Sequence, residues 1–306
     1  MTGALKIDNL PKVRGEYKFS EPLAGYTWLN VGGPADVMFF PADEADLRDF
    51  LKQKDESMPL FVLGGGSNLL VRDGGMPGVV IKLKSADFAQ WRIVDNILYC
   101  GAGCLNFNLK KTIEENGLGG LEFLCSIPGT VGGAVRGNAG CFGADMAGVL
   151  TSARVMKADG TVHTLNNENC GFSYRHSNLG DDDIVLEVGL KFKPQSPAKA
   201  AEVIAQNAEY RRAHQPQGIK TAGSTFKNPE GAAAWKLIKE AGGDTMVCGG
   251  AKMSAQHCNF LQNDGHSAAD IEKLCRAIAA AVKQKSGITL ESEVKIVGRE
   301  QADDGR

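Results

Sequence analysis

The sequence lacks the features that mark several classes of protein. No long run of like charge occurs, and 34 Lys and Arg residues against 36 Asp and Glu residues give a formal net charge of -2. A basic stripe suited to a phosphate backbone or an anionic membrane is therefore missing, so we expect neither nucleic acid nor a membrane as partner. No stretch reaches the ~20 apolar residues that cross a bilayer, and no apolar segment follows the basic residues near the N-terminus. These absences predict a cytoplasmic protein.

Disulfide and metal frameworks are also missing. The eight cysteines include no Cys-x-x-Cys pair, and Cys100 with Cys104 has no second pair of ligands. Most of the cysteines stand among apolar residues, which favours small buried thiols in a reducing compartment. We therefore predict no metal site.

The chain is long enough for two or three compact lobes, because 306 residues with 43% hydrophobic content can bury a full core. Before Pro194, short apolar runs alternate with glycine-rich turns, a pattern typical of sheet. After it, Ser196 as N-cap and Pro197 at the first helical position open a helix. The last third is thus predicted to be α+β, with no internal repeat and no low-complexity linker.

Local patterns predict four more helices and two strands. The helices are expected over 45–53 after Asp43, over 105–115, in the AAAWKLIKE segment closed by Gly242, and after Ser267. Alternation of apolar and other residues predicts a strand with one buried face over 184–192. It also predicts a strand over 288–298, with Glu291 and Glu293 on the same face.

The first of two glycine-rich segments runs from an apolar strand through Gly64, Gly65 and Gly66 into another strand. Three consecutive residues without Cβ let backbone N–H groups point at an anion such as a pyrophosphate. No G-x-G-x-x-G opens a helix here, so the segment is not the dinucleotide fingerprint of a Rossmann unit. Taken alone, a tight hairpin is the simpler interpretation.

The second segment, IPGTVGGAVRGNAGCFG, holds five glycines before Cys141. Ordinary turns do not require so many, and two such segments suit a long ligand with a diphosphate and a flat ring. A bound dinucleotide becomes the better interpretation. The candidate cofactor-binding residues are Gly64, Gly65, Gly66, Ser67, Asn68, Leu69, Pro128, Gly129, Thr130, Gly132, Gly133, Asn138 and Gly140.

Six motifs occur in a fixed order along nearly the whole chain. They are LNVGGPA (29–35), GGGSNLLV, IPGTVGGAVRGNAG, YRHS (174–177), AGSTFKNP and LESEV. This ordered set resembles the UDP-N-acetylenolpyruvoylglucosamine reductase family, also called UDP-N-acetylmuramate dehydrogenases. The resemblance implies an α+β fold with a vanillyl-alcohol-oxidase-type (PCMH-type) FAD-binding lobe of two subdomains and an α+β substrate-binding lobe.

The resemblance also implies boundaries. FAD-binding subdomain 1 is expected in 1–85, with 295–306 returning to it, subdomain 2 in 86–195, and the substrate-binding domain in 196–294. No tyrosine-bearing insertion lies between Arg175 and Ser224, so the chain looks like the shorter subclass. The first of the five histidines is His163, outside both glycine segments, and FAD is therefore expected to bind non-covalently. We expect a monomer.

The activity implied by the resemblance is NADPH-dependent reduction of UDP-N-acetyl-enolpyruvylglucosamine to UDP-N-acetylmuramate through FAD, a step of peptidoglycan precursor synthesis. Cell-wall biogenesis, cell shape and cell division would then depend on it. Two alternatives remain open. One is an FAD-dependent alcohol or hydroxy-acid oxidase or dehydrogenase of the same superfamily. The other is a nucleotide-sensing module without turnover.

Three residues match catalytic positions of the family. Ser224 matches the proton donor, Arg175 the arginine that binds the developing carboxylate charge, and Glu293 the carboxyl that helps polarise the substrate carboxylate. From the residues alone, a loop or helix-cap serine is the favoured interpretation of Ser224, and a solvated strand face is that of Glu293. A surface ion pair with Asp181–Asp183 is likewise the favoured interpretation of Arg175 without the motif.

Substrate contacts are assigned by the same resemblance. Asn228 matches a substrate-contacting position, Lys227 suits a phosphate, and His257 and Asn259 are expected to line the same cleft. The sequence departs from the family at His214, where relatives commonly have a lysine, which puts one cationic contact to the diphosphate in doubt.

Overall fold

A computed structural model describes residues 10–301. The start of the predicted FAD-binding subdomain 1, residues 1–9, lies outside the described residues. So does the end of the C-terminal segment predicted to return to it, residues 302–306. Among the described residues, no helix combines the length and apolar character needed to cross a membrane. No group of three His, Cys, Asp or Glu side chains in this part of the chain is placed to hold a metal ion.

The regular elements are short and numerous. The strands are β1 (Glu16–Pro22), β2 (Pro34–Phe40), β3 (Leu60–Val62), β4 (Leu69–Val71), β5 (Met76–Ile81), β6 (Trp91–Val94), β7 (Ile97–Gly101), β8 (Leu118–Gly119), β9 (Gly140–Cys141), β10 (Ala144–Asp145), β11 (Leu150–Met156), β12 (Val162–Asn166), β13 (Ile184–Lys191), β14 (Lys193–Pro194), β15 (Val247–Cys248), β16 (Ala251–Met253), β17 (Leu261–Asn263) and β18 (Lys295–Val297). The α-helices are α1 (Glu44–Gln53), α2 (Lys110–Asn116), α3 (Val131–Arg136), α4 (Met146–Val149), α5 (Pro197–His214), α6 (Ala234–Glu240) and α7 (Ala268–Ser286). Short 3-10 helices join several of them, one of which, Asn106–Leu109, occupies the start of the helix predicted over 105–115.

The chain divides into two compact units. Unit 1 comprises the residues up to Phe19, Val37–Gly65 and Gly78–Glu209, and unit 2 comprises Ser20–Asp36, Gly66–Pro77 and the residues from Tyr210 onward. The chain passes from unit 1 to unit 2 for the last time between Glu209 and Tyr210, inside α5. This point lies after Pro194, where the sequence pattern changes from sheet to helix. The family-based subdomain bounds stay predictions.

Unit 1 contains a five-stranded antiparallel sheet in the order β12-β11-β13-β7-β6. Its central strand, β13, was predicted to bury one face, and this is wrong, because both faces are covered. Val188 and Leu190 join one core cluster, whereas Ile184 and Leu186 join another. Leu186 has no partner on β11, because it lies between the pairs Arg154–Glu187 and Val155–Val185, and it therefore forms a β-bulge. The bulge changes which face of the sheet the side chains beyond it point to.

A second sheet has the order β1-β2-β5-β3, with β3 parallel to β5. The core beside this sheet in unit 1 includes Phe39 of β2 and Phe50 of α1. Their ring centroids lie 4.7 Å apart. The predicted start of α1 is confirmed, because the Asp43 side chain accepts a hydrogen bond from the backbone N–H of Asp46.

Unit 2 is built on α6, α7, the antiparallel sheet β15-β16-β17 and the parallel pair β4–β18. The predicted cap of α7 is confirmed, since the Ser267 hydroxyl accepts from Asp270 N–H at 3.3 Å. The helix buries Ile271, Leu274, Ile278 and Val282, which recur at helical spacing.

The strand predicted over 288–298 is wrong in extent. Only β18 (Lys295–Val297) forms, and the chain bends at Glu293 and Val294. Backbone hydrogen bonds to separate segments, Thr225 on one side and Asn68 on the other, replace a single ladder here.

The eight cysteines are free thiols. Burial raises the pKa of Cys125 and of Cys275 to about 12, so these two thiols are protonated and unreactive at neutral pH.

Candidate active site

The first glycine segment does not form a hairpin. The preceding strand β3 pairs with β5, whereas the following strand β4 pairs with β18. The chain passes from unit 1 to unit 2 between Gly65 and Gly66. Gly66 has φ +63°, and a Cβ there would lie 1.9 Å from the carbonyl oxygen of Tyr26, so only glycine fits. The hairpin interpretation is therefore wrong.

Within unit 1, the two glycine segments lie against each other. A Cβ on Gly65 would lie 2.5 Å from the Cα of Gly129, and a Cβ on Gly64 would lie 2.7 Å from Oγ1 of Thr130. Any side chain at these positions would force the loops apart. The glycines thus allow two backbones to approach closely.

Where these loops meet, several backbone N–H groups have no acceptor among residues 10–301. They belong to Gly64, Gly65, Gly129 and Thr130, and the last two residues are buried. An unsatisfied buried donor costs about 1–3 kcal/mol. A ligand rich in acceptors and able to approach a backbone without side chains would satisfy them. The diphosphate of FAD has these properties, so the residues fit that group.

Thr130, Gly132 and Gly133 set the course of the second segment. The Thr130 hydroxyl accepts from Gly133 N–H at 3.3 Å and caps α3. A Cβ on Gly132 would lie 2.8 Å from the Cβ of Ala102, so glycine lets α3 pack closely on the residue that follows β7.

Asn138 and Gly140, at the end of the same segment, support the turn that carries Arg175. The Asn138 side chain is buried, donates to the Ser173 carbonyl at 2.9 Å and accepts from Ala147 N–H at 2.9 Å. The Gly140 carbonyl accepts from Arg175 Nη2 at 3.0 Å. Both polar ends of the Asn138 side chain are therefore used inside unit 1. Its role in cofactor binding stays a prediction.

Arg175 lies in a tight turn with unfavourable backbone geometry. Ser173 and His176 exchange two backbone hydrogen bonds of 3.1 Å across it, and Arg175 has φ +55°. A long side chain in this region costs about 1–2 kcal/mol, a kind of strain that concentrates at functional sites. The guanidinium carbon lies 5.0 Å from the ring centroid of Tyr174.

Asp183, the last residue of the acidic run that was the alternative partner of Arg175, has other contacts. Lys157 Nζ donates to both carboxylate oxygens of Asp183, at 2.7 and 2.9 Å. The Arg136 guanidinium donates to the carbonyls of Gly180 and Asp183. The charge of Asp183 is thus balanced within unit 1 by Lys157.

In unit 2, Ser224 lies on an extended segment bonded on both edges. Thr225 N–H donates to the Asn259 carbonyl at 2.7 Å, and Ser224 forms an isolated bridge with Phe260. On the other edge, Glu293 N–H donates to the Thr225 carbonyl at 2.9 Å. The half-buried Ser224 hydroxyl has no hydrogen-bond partner among the described residues. It is not a helix cap, and it is available to a ligand.

The two glutamates of the LESEV motif have different surroundings. Glu291 is 72% exposed, and its carboxylate lies 2.5 Å from Lys227 Nζ. Glu293 is half-buried, and its carbonyl accepts from Asn68 Nδ2 at 3.0 Å. Its backbone adjoins Thr225, the residue next to Ser224. The structure therefore separates two carboxylates that strand alternation could not tell apart.

Two of the predicted substrate-binding residues have internal partners. Lys227 forms the ion pair with Glu291, and Asn228 Oδ1 accepts from Ala234 N–H at 3.0 Å, at the start of α6. A phosphate at Lys227 would have to compete with an exposed carboxylate.

His257 lies in the turn that precedes the Asn259 contact. Its Nδ1 accepts from Asn259 N–H at 3.2 Å, and its ring meets Phe260 edge-on with centroids 4.8 Å apart. Burial lowers the pKa of His257. The neutral ring is thus favoured, and because Nδ1 accepts, the proton is assigned to Nε2.

Asn259 has a different role from the predicted one. It is 4% exposed, and both polar atoms of its side chain bind the backbone of Phe226 rather than facing a cleft. The position of Asn259 between the apolar residues Cys258 and Phe260 is the signal that could have indicated a buried amide.

Known proteins match this chain over most of its length. A family model described as "UDP-N-acetylenolpyruvoylglucosamine reductase, C-terminal domain" matches residues 215–297, and one described as "FAD binding domain" matches residues 35–166. The UDP-N-acetylenolpyruvoylglucosamine reductase of Paramagnetospirillum magneticum is 46% identical over 292 residues, covering 95% of each chain. The chain belongs to this reductase family. The enzyme of the same name from Caulobacter vibrioides is 46% identical, covering 95% of this chain and 97% of its own.

A solved structure shares the fold. The UDP-N-acetylenolpyruvylglucosamine reductase of Thermus caldophilus superposes with a TM-score of 0.80 at 36% identity, covering 93% of this chain and 99% of that one. The predicted fold, a PCMH-type FAD-binding lobe with an α+β substrate-binding lobe, is thereby confirmed.

Proposed function

We propose that this protein reduces UDP-N-acetyl-enolpyruvylglucosamine to UDP-N-acetylmuramate, with NADPH as reductant and non-covalent FAD as cofactor. The proposal places it in the cytoplasm, as a monomer, in peptidoglycan precursor synthesis, and so in cell-wall biogenesis, cell shape and cell division. Membership of the reductase family supports it. The observation that carries it is a serine with an unengaged hydroxyl on a segment hydrogen-bonded to Glu293.

Bound FAD supplies hydride transfer between NADPH and the enolpyruvyl group. The N–H groups of Gly64, Gly65, Gly129 and Thr130 would hold its diphosphate, since they have no other acceptor among the described residues. Ser67, Asn68 and Leu69 continue the first loop and are proposed as further contacts, as is Pro128 in the second.

Ser224 is proposed to donate the proton that completes the reduction. Hydride addition to the terminal methylene leaves negative charge on the neighbouring carbon and its carboxylate, and one proton must then reach that carbon. A serine hydroxyl is a weak acid, so its contribution depends on a fixed position within ~2.6–3.2 Å of the accepting atom. The backbone contacts on both edges of its segment provide that fixation.

Arg175 and Glu293 are proposed to act on the substrate carboxylate. The planar guanidinium can bind a carboxylate through two parallel hydrogen bonds, which a lysine cannot do. Its Nη2 contact to a backbone carbonyl orients it beforehand. Glu293 is proposed to polarise the carboxylate, and its backbone contact to Thr225 ties it to the segment of the proton donor.

Lys227, Asn228 and His257 are proposed to bind the UDP-sugar. Lys227 would exchange the Glu291 carboxylate for a phosphate oxygen. His257, neutral with its proton on Nε2, would act as a hydrogen-bond donor rather than as a cation.

Spectroscopy and turnover test the proposal together. The purified protein should be yellow and should oxidise NADPH only when the enolpyruvyl UDP-sugar is present. Ser224→Ala should lose this activity and keep its flavin. Colourless protein after gentle purification would refute FAD binding. Substrate-independent oxygen consumption would point to an oxidase, and bound nucleotide without turnover would point to a sensing module.

A further inference from the structure

The side chain of Asn259 acts as a hydrogen-bonding partner for the backbone of Phe226. Its Oδ1 accepts from Phe226 N–H at 3.0 Å, and its Nδ2 donates to the Phe226 carbonyl at 2.8 Å. The Asn259 carbonyl also accepts from Thr225 N–H at 2.7 Å. One buried residue therefore makes three hydrogen bonds to the two residues that follow Ser224.

The Asn259 backbone is already engaged, because its N–H donates to His257 Nδ1 and its carbonyl accepts from Thr225 N–H, so the side-chain amide supplies the bonds to Phe226. Residues 254–260 form a compact turn in which Ser254 N–H donates to Phe260 O and Phe260 N–H donates to His257 O. Phe226 is 3% exposed, so its N–H and carbonyl require partners inside the protein. The primary amide offers one donor and one acceptor at nearly the spacing of a peptide group.

The opposite edge of the segment does not depend on Asn259. There, Glu293 N–H donates to Thr225 O and Lys227 N–H donates to Glu291 O, both at 2.9 Å. Removal of the amide therefore takes away only the two bonds to Phe226 on one edge, where the backbone bond from Thr225 N–H to the Asn259 carbonyl remains. The segment would stay attached to residues 291–293, while the direction in which Ser224 points would be less tightly fixed.

We propose that Asn259 is a positioning residue for proton delivery: it holds Ser224 in register with Glu293 and does not touch the substrate. This inference rests on the proposed function of Ser224. It also replaces the expectation that Asn259 lines the cleft. A misplacement of about 1 Å in a catalytic group lowers a rate by about 100-fold.

Asn263 offers a matched control in the same unit. It is also a buried asparagine, 2% exposed, with Nδ2 donating to the Leu29 carbonyl at 2.7 Å and Oδ1 accepting from Gly265 N–H at 3.0 Å. Its contacts lie away from the Ser224 segment. Asn263→Ala therefore removes a comparable set of hydrogen bonds without touching residues 224–227.

The test compares Asn259→Ala with Asn263→Ala in two half-reactions followed by flavin absorbance. Bleaching of the flavin absorbance by NADPH reports reduction of the flavin, and it should proceed at the wild-type rate in both variants. Recolouring reports reoxidation of the flavin by the substrate. Recolouring by the enolpyruvyl UDP-sugar should be about 100-fold slower in Asn259→Ala, with a larger solvent deuterium isotope effect, and near the wild-type rate in Asn263→Ala. Equal slowing of both half-reactions in Asn259→Ala, or equal slowing of recolouring in the two variants, would overturn the inference.

A second measurement does not require the cofactor. Hydrogen exchange of the apoprotein should accelerate in peptides that cover 224–228 in Asn259→Ala but not in Asn263→Ala. Unchanged exchange there would overturn the inference even if activity fell. If the wild-type flavin is bleached by NADPH but never recoloured by the substrate, the proposed function fails, and the exchange result still reports whether Asn259 fixes the segment.

Discussion

Replacing Gly65 with alanine tests whether the contact between the two glycine segments builds the cofactor site. The new Cβ would lie 2.5 Å from the Cα of Gly129, 3.1 Å from its carbonyl carbon and 3.3 Å from Thr130 N. All three atoms belong to backbone, so no side-chain rotation can relieve the clash. Carbon atoms prefer a separation of about 3.5–4.0 Å, so the loops must part by about 1 Å.

Two effects follow from that separation. Overpacking of this kind costs about 1–3 kcal/mol of stability. The N–H groups of Gly65, Gly129 and Thr130, which have no acceptor among the described residues, would also be moved apart. Hydrogen bonds to charged groups contribute about 1.5–3 kcal/mol each. Loss of one or two should therefore weaken FAD binding by at least about 10-fold.

The assay is FAD titration of the apoprotein by quenching of flavin fluorescence, alongside thermal unfolding. Gly137→Ala is the matched control, because its Cβ would meet no atom closer than 3.6 Å and its φ is -94°. The control should bind FAD as the wild type does. Wild-type FAD affinity in Gly65→Ala would refute the inference that close approach of the loops forms the site.

Three further changes test individual side chains. Arg175→Gly should leave stability unchanged or slightly raised, because removing ~1–2 kcal/mol of positive-φ strain offsets the entropy cost of glycine, while kcat/KM falls by at least about 100-fold; a stability loss above about 2 kcal/mol would contradict the strain assignment. Glu291→Gln should lower KM for the UDP-sugar by up to about 5-fold with kcat unchanged, because an exposed ion pair contributes about 0–1 kcal/mol; an increased KM would show that Glu291 helps binding. Because the pKa of His257 is lowered in the folded protein, its imidazole takes up a proton at a higher pH in the unfolded chain than in the folded protein. The free energy of unfolding should therefore fall as the pH drops below 6.5, the ordinary pKa of histidine. In urea titrations, His257→Asn should show a smaller fall over that range, and an identical pH dependence would refute the assignment.

Local signals in the sequence were sufficient for the starts of three helices. The side chains of Asp43 and Ser267 cap α1 and α7 as expected, and α5 starts at Pro197. Caps and helical periodicity involve residues within a few positions of one another, so the local sequence is enough to predict where these helices begin.

Non-local contacts explain what the sequence did not reveal. The alternation in β13 predicted one buried face, but its place at the centre of a five-stranded sheet covers both. The expected strand through Glu293 is interrupted because that residue bonds to Thr225 and to Asn68, which is 225 positions away. The hairpin that Gly64–Gly66 suggest when taken alone is excluded for the same kind of reason, since β3 and β4 pair with different strands.

The candidate site was only partly accessible from the residues. Chemistry and motif order singled out Ser224, but no local pattern showed that its hydroxyl is unengaged or that Asn259 binds the neighbouring backbone. The choice between Glu291 and Glu293 came from the family resemblance, and the ion pair of Glu291 with Lys227 gives it a physical basis.

The role of Ser224 is tested most directly by stopped-flow measurement of Ser224→Ala. General acid catalysis contributes about 100- to 10,000-fold. NADPH should therefore bleach the variant flavin at the wild-type rate, while recolouring by the enolpyruvyl UDP-sugar should be slower by a factor in that range. Recolouring within a few-fold of the wild-type rate would show that another group delivers the proton.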